Sequence, residues 1–432
     1  MVTLLIIADD FTGALDTGVQ FAASGANTRV VTSVNYDFRQ VDPEVQVLVI
    51  DAETRHLSSR EAYDIVYDIT SRAVAQNIPY LYKKTDSALR GNIGSELTAM
   101  LEAAGGKTLS FLPAFPKMKR WTNEGIHYID GIPVHESVFG KDPFEPVTCS
   151  HIPKIIGMQS QVKVSVRAAG NWNVLEKESS EGNLKEPEIL VWDAKTDEDL
   201  RALGQHLYET DQLYLTAGCA GFAAVLPKLL GLKGERRLGT KLTSKLLVIC
   251  GSVNPITVAQ LDCGEKHGFL RIRLKPEESL KKDFWTSFCG QEKLSQWRNL
   301  LDQHSYIILD SNDMPGREST GDYAKAHGLS LEEMRVQIAT SYGHILKALL
   351  ENDLESTLLI TGGDTLLGCM EELGVREIKP ICEMAPGTVL SEFFLGDNKY
   401  QVISKSGGFG QETLLIELAH KISGTTKLES QD

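Results

Sequence analysis

Val2-Thr3-Leu4-Leu5-Ile6-Ile7-Ala8-Asp9-Asp10-Phe11-Thr12-Gly13-Ala14 opens on an almost unbroken apolar run that stops at two adjacent aspartates. Such a run predicts a strand buried on both faces over 2–8. Residues 9–13 then form the turn, and Leu15, Val19 and Ala22 recur at helical spacing. The unit repeats along the first half. A strand over 45–50 ends in Asp51-Ala52-Glu53-Thr54-Arg55, one over 78–82 in Lys83-Lys84-Thr85-Asp86, and one over 109–112 in Pro113-Ala114-Phe115-Pro116. Each polar ending follows the carboxyl end of a predicted strand, where open α/β sheets bind ligands.

Residues 121–147 read as irregular, and the polar stretch 171–188 as a surface insertion. The βα rhythm returns with a strand at 189–192 and a capping box at Thr196-Asp197-Glu198-Asp199. A strand at 213–215 and a helix at 222–230 follow. The Gly- and charge-rich segment 231–239 is the best linker. Beyond it strands are expected at 245–250, 306–309, 358–360 and 400–403. The predicted class is α/β. It has two domains, each a βα-alternating, mostly parallel sheet flanked by helices, with a cleft between them. The boundaries are 1–235 and 240–425.

Composition removes several alternatives. With 432 residues and a net charge of −14, the chain is no general nucleic-acid binder, since that affinity comes from Lys and Arg on phosphates. The seven cysteines are scattered, without CxxC spacing, so neither a disulfide framework nor a zinc site is signalled. His56, His127, His135 and His151 match no metal-ligand spacing. No apolar stretch reaches the roughly 20 residues of a membrane helix. The apolar start lacks a basic lead, so no signal peptide and a cytoplasmic location are expected.

Three loops of the second half share one design of strand, glycine-bearing turn and helix. They are Gly251-Ser252-Val253-Asn254-Pro255, Thr361-Gly362-Gly363-Asp364-Thr365 and Ser404-Lys405-Ser406-Gly407-Gly408-Phe409-Gly410. Glycine admits close approach of the backbone to a ligand, and a helix N-terminus welcomes an anion. Three such loops together suggest a polyphosphate site. There is no GxxxxGK[ST] and no GxGxxG with a following acid, so P-loop and Rossmann readings fall away. The candidate polyphosphate-binding set is Gly251, Ser252, Thr361, Gly362, Gly363, Asp364, Gly387, Gly407 and Gly408.

The first half holds the charges. Lys83, Lys84 and Arg90 bracket Asp86 ahead of a helix from about Ile93, a combination suited to a carboxylate or phosphate. Lys117, Lys119 and Arg120 form a second basic group, which a solvated face would explain equally well. Adjacent Asp9 and Asp10 repel unless a proton, metal or donor-rich ligand satisfies them, and a helix cap would account for only one. Cys219 lacks the His/Asp company of a nucleophile. The substrate-binding set is Asp9, Asp10, Arg55, Lys83, Lys84, Asp86 and Arg90. Asp10 leads as general base, Asp364 is second, and Asp86 is the third catalytic candidate, as an orienting group.

Asp-Asp-Phe-Thr-Gly-Ala at 9–14, Lys-Lys-Thr-Asp-Ser-Ala-Leu-Arg-Gly-Asn at 83–92, Pro-Ala-Phe-Pro at 113–116 and the three glycine loops occur in one order. In that order they resemble the four-carbon acid sugar kinases, over nearly the whole chain. Position 11 is Phe where many members have Leu. The resemblance implies an N-terminal sugar-acid domain and a C-terminal ATP domain. It implies transfer to the 4-hydroxyl of D-threonate, D-erythronate or a 3-oxo-tetronate, with the 83–92 motif closer to the first two. By position it places Ser252, Thr361 to Asp364 and Gly407 against ATP; Mg²⁺ accompanies the nucleotide and its protein ligands stay unassigned. Expected partners are a small sugar acid and ATP, with no nucleic acid and no membrane; a homodimer is compatible. Two other readings stay open: a metal-dependent isomerase or lyase using Asp9 and Asp10, and a non-catalytic sugar-acid sensor.

Overall fold

The computed structural model describes residues 2–142, 145–168, 170, 186–234, 242–352 and 354–424. The chain divides into two compact units, Met1–Arg236 and Arg237–Asp432. Most of the expected linker, and most of the insertion expected at 171–188, lie outside the described residues.

In the first unit the opening stretch forms strand β1 (Leu4–Ala8), every residue of it buried, followed by helix α1 (Phe11–Ala22). The unit continues with β2 (Thr28–Val31), β3 (Val47–Asp51), α2 (Ser59–Ala75), β4 (Tyr80–Lys84), α3 (Ile93–Ala103) and β5 (Thr108–Leu112). Part of the stretch 121–147, expected to be irregular, instead joins a small antiparallel sheet of β6 (Arg120–Asn123), β7 (Ile126–Ile129) and β8 (Ile132–Pro133). Its turns, at Glu124-Gly125 and Asp130-Gly131, all have positive φ. After α4 (Ile152–Gly157) come β9 (Lys163–Arg167), β10 (Glu188–Trp192), α5 (Asp197–Glu209) and β11 (Leu215–Gly218). The capping box at Thr196 and Asp199 is present. The helix expected at 222–230 is two short pieces, α6 (Ala220–Ala223) and α7 (Leu226–Leu229), with Pro227 starting the second.

The main sheet of this unit is wholly parallel, in the order β2-β3-β1-β4-β11-β5-β10-β9. Its core includes Leu5, Ile7, Leu48, Ile50, Leu97 and Phe111. The chain leaves β1 toward β2 on one side and leaves β4 toward β5 on the other. The switch point of the sheet therefore lies between the carboxyl ends of β1 and β4, where a crevice for ligands forms in such sheets.

The second unit repeats the plan with β12 (Leu246–Cys250), α8 (Pro255–Lys266), β13 (Leu270–Arg273), α9 (Pro276–Leu280), α10 (Phe288–Gln303) and β14 (Tyr306–Asp310). It continues with α11 (Thr320–Ala326), α12 (Leu331–Leu350), β15 (Thr357–Thr361) and α13 (Gly363–Leu373). A meander of β16 (Glu377–Ala385), β17 (Thr388–Leu395) and β18 (Asn398–Lys405) precedes α14 (Leu414–Ser423). The order is β13-β14-β12-β15-β18-β17-β16, parallel from β13 through β18 and antiparallel at the last two pairings. Here the switch point falls between β12 and β15. The apolar faces of α13 and α14 pack inward through Leu366, Met370 and Leu373, and through Leu414, Leu415, Leu418 and Ile422.

Candidate active site

Asp9 and Asp10 sit on the turn between β1 and α1. Asp10 is the N-cap of α1, accepting the Gly13 N–H at 3.1 Å and the Thr12 hydroxyl at 2.8 Å. Arg55, on the loop after β3, lies across both acids. Its Nε and Nη2 reach Asp9 Oδ2 at 2.9 and 2.8 Å, its Nη1 reaches Asp10 Oδ2 at 3.0 Å, and Asp86 Oδ1 is 3.7 Å away. The like-charge repulsion read from the sequence is thus answered by a guanidinium. Glu53, left-handed at φ 45°, accepts the Phe11 N–H and helps fix the start of α1.

Two lysines end β4, and they part company. Successive residues of a strand face opposite sides of the sheet. Lys83 is fully buried and pairs with Glu96 of α3 at 3.2 Å, while Thr54 donates to the same carboxylate. Lys84 points to the acidic turn, 3.5 Å from Asp9 Oδ1. A Cβ on Gly13 would stand 2.5 Å from Lys84 Nζ, so glycine keeps this corner open. After β4, Asp86 takes a bidentate pair of bonds from Arg90, Nε at 2.9 Å and Nη2 at 3.0 Å. It also accepts the Ala88 and Arg90 amides. Asn92 ties this loop to the Arg55 loop through the carbonyls of Thr54 and Leu57.

Burial pushes the carboxyl of Asp9 up, but Arg55, Lys84 and Lys83 outweigh it and bring it down to about 2. Burial acts the same way on Asp86, and Arg90 and Arg55 hold it well below the usual range. Burial works against the charge of Arg55 and Lys84; the facing carboxylates overcome it and raise both. The cluster is charged at neutral pH. One oxygen in it stands out: Asp9 Oδ1 is buried and makes no hydrogen bond, with the Lys84 ammonium 3.5 Å away.

Of the second basic group, Lys117 and Lys119 are exposed, but Arg120 is buried and donates to the Ser87 hydroxyl. Its guanidinium and that of Arg90 both lie over the Phe139 ring, 5.1 and 5.4 Å from the centroid. His127 holds the Ser87 carbonyl from Nε2 at 2.9 Å. Among the described residues no group of three or more His, Cys, Asp or Glu is placed to hold a metal. Cys219 is buried, its thiol pushed up to about 11 by that burial, which suits packing rather than attack.

The three glycine loops come together at the β12/β15 switch point of the second unit. Gly362, with φ 105°, is the N-cap of α13. A Cβ on Gly407 would lie 2.9 Å from Ser252 Oγ. Thr257 Oγ1 donates to the Gly407 carbonyl at 2.8 Å, and Gln260 Nε2 to that of Phe409 at 3.0 Å. Gly251 packs on Thr365, and Gly387 on the Phe409 ring. Asp364, in the first turn of α13, is paired with Arg335 of α12. The expected nucleotide residues therefore gather in this unit, and the expected acid-binding residues in the first.

A family profile described as a sugar-binding N-terminal domain matches residues 4–226, and one described as a nucleotide-binding C-terminal domain matches residues 247–415. A D-threonate kinase of Salmonella typhimurium is 30% identical, over 97% of this chain and 98% of its own. This chain belongs to the four-carbon acid sugar kinases. Two further relatives have lower identity. A D-erythronate kinase of Heliobacterium modesticaldum is 26% identical over 99% of both chains, and a 3-oxo-tetronate kinase of Brucella melitensis is 24% identical over 97% of this chain and 95% of its own. Crystal structures of a Salmonella typhimurium protein and a Haemophilus influenzae protein superpose with TM-scores of 0.78 and 0.70. The first covers 98% of this chain and all of its own at 22% identity, the second 97% and all at 19%. They share the family's fold. Among the described residues no helix is long and apolar enough to cross a membrane.

Proposed function

We propose that this chain is an ATP-dependent kinase acting on the terminal 4-hydroxyl of a four-carbon sugar acid, with D-threonate and D-erythronate as its first candidate substrates. The observation that carries the acid site is Asp9 Oδ1. It is a buried, ionised oxygen that makes no hydrogen bond and has the Lys84 ammonium 3.5 Å away, at the switch point of a parallel sheet. A carboxylate oxygen has more than one acceptor site, so a sugar hydroxyl can add a donor to this long ion pair. D-Threonate kinases stand among the relatives, and the Lys-Thr-Asp-Ser run at 84–87 supports that substrate class.

The geometry supports the following roles. Arg55 holds Asp9 and Asp10 together. Lys84 and Arg90 take the substrate carboxylate; Arg90 is the more open of the two, its side chain 24% exposed. Lys83 serves from behind the sheet by holding Glu96. Asp10, more exposed than Asp9 or Asp86, accepts the hydroxyl proton as the phosphoryl group arrives, and Asp86 orients Arg90. Asp364, the alternative base, instead serves the nucleotide from the first turn of α13. ATP lies on the 251–255, 361–365 and 404–410 loops. Mg²⁺ is bound in such sites by one or two carboxylates plus phosphates; Asp364 fits that donor set. When bound it neutralises charge on the phosphates. Positioning and charge neutralisation supply most of the catalysis in phosphoryl transfer.

The test is the product. With D-threonate or D-erythronate and ATP, phosphorus NMR is expected to show one phosphomonoester coupled to the C4 protons. A product lacking phosphorus, formed without ATP, would point to the isomerase or lyase reading instead.

A further inference from the structure

Lys405 ends β18 and is 1% exposed. Its Nζ donates to Thr257 Oγ1 at 3.1 Å, to the Ser406 carbonyl at 3.0 Å and to the Gly407 carbonyl at 3.3 Å. All three acceptors are neutral, and among the described residues no carboxylate reaches it. A buried ammonium without a counter-charge is expensive. Groups kept in that condition concentrate where charge is used.

The loop explains the use. In a trans peptide the carbonyl and the N–H point in opposite directions. With the Ser406 and Gly407 carbonyls drawn toward Lys405, the amides of Gly407 and Gly408 are turned the other way. Neither of these amides has an acceptor among the described residues. Thr257 holds the same Gly407 carbonyl from the second side, and Ser252 stands against Gly407. We infer that Lys405 is a positioning residue of the nucleotide site: its ammonium pulls two loop carbonyls inward so that the Gly407 and Gly408 amides face a nucleotide phosphate, whose charge answers its own. This rests on the second unit binding the nucleotide.

Burial holds the Lys405 ammonium down at about 8. Across the sheet its register partners are Thr361 and Thr388, and beyond Thr361 lies Cys250, whose thiol burial pushes up to about 12. Thr257 and Gln260 face the loop from α8 and carry no charge. Asp310, next along the row, is bound by Arg271. Glu383 lies at the far side of the loop, where it accepts the Gly387 N–H. Nucleotide affinity is therefore expected to fall as pH rises through about 8, by up to about tenfold between pH 7 and 9.

Calorimetric titration of the full chain with ADP alone, at pH 7 and pH 9, tests this against Lys405→Met. The variant is expected to bind ADP at least about tenfold more weakly at pH 7 and to lose the wild-type fall toward pH 9, with D-threonate binding unchanged. Equal ADP affinity in wild type and variant at pH 7, or an unchanged alkaline fall in the variant, overturns the role of Lys405. Absence of ADP binding by wild type overturns the nucleotide reading and this role with it. Should the Met variant not fold, Thr257→Val decides: weaker ADP binding with the alkaline fall kept supports the role, and wild-type affinity contradicts it.

Discussion

The Asp10 carboxylate accepts the Gly13 N–H that opens α1 and, on the same group, the Arg55 guanidinium. Asparagine caps a helix about as well as aspartate, so Asp10→Asn separates the two tasks. The variant is expected to keep its fold, with kcat lowered at least about 100-fold, the usual scale for losing a general base. Steady-state kinetics beside a thermal melt check it; near-normal kcat would move the proton to another acceptor. This acidic pair was legible because two adjacent carboxylates at a strand end demand an explanation. The sequence grouped Lys83 with Lys84 on the substrate; the alternation of a strand separates them, and the partner of Lys83 was not legible either. Glu96 lies on another element, and only the packing of α3 on the sheet brings it within 3.2 Å.

At the scale of elements, the buried strands announced themselves as apolar runs, and the glycine turns marked where they end. The edge strands β2, β9 and β13 did not, being short and mixed in polarity. The β6–β8 sheet was hidden by its turns and by residues whose burial comes from tertiary contact. His127 of β7 is the example. Nothing around it in sequence suggests a core position, yet it is 0% exposed, and burial holds its imidazole down at about 4 from an ordinary 6.5. Its folded value lies below its unfolded one, so on acidification the unfolded chain takes up the proton first. The stability this gives is complete above about pH 6.5 and declines toward pH 4, by about 3 kcal/mol in all. Urea midpoints across that window should slope less in His127→Asn than in wild type; parallel slopes would assign the acid sensitivity elsewhere.

Across the whole molecule, chain order carried much of the information. Alternating strands and helices place the loops after β1, β4, β12 and β15 at strand carboxyl ends, and the sheet orders then put Asp9, Lys84 and Asp86 around one switch point and Gly251 and Gly362 around the other. Lys405 was visible in its motif but not its burial, because that comes from β15, β17 and α8 closing over it. As a four-carbon acid sugar kinase, this chain spends a nucleotide to phosphorylate its acid. A coupled assay of ADP release, with the purified chain, ATP and Mg²⁺ over D-threonate, D-erythronate and a 3-oxo-tetronate, tests it most directly. The expected result is acid-dependent ADP release, one ADP per acid consumed, with D-threonate or D-erythronate preferred; acid turned over without ADP release, or no acid accelerating it, would contradict the claim.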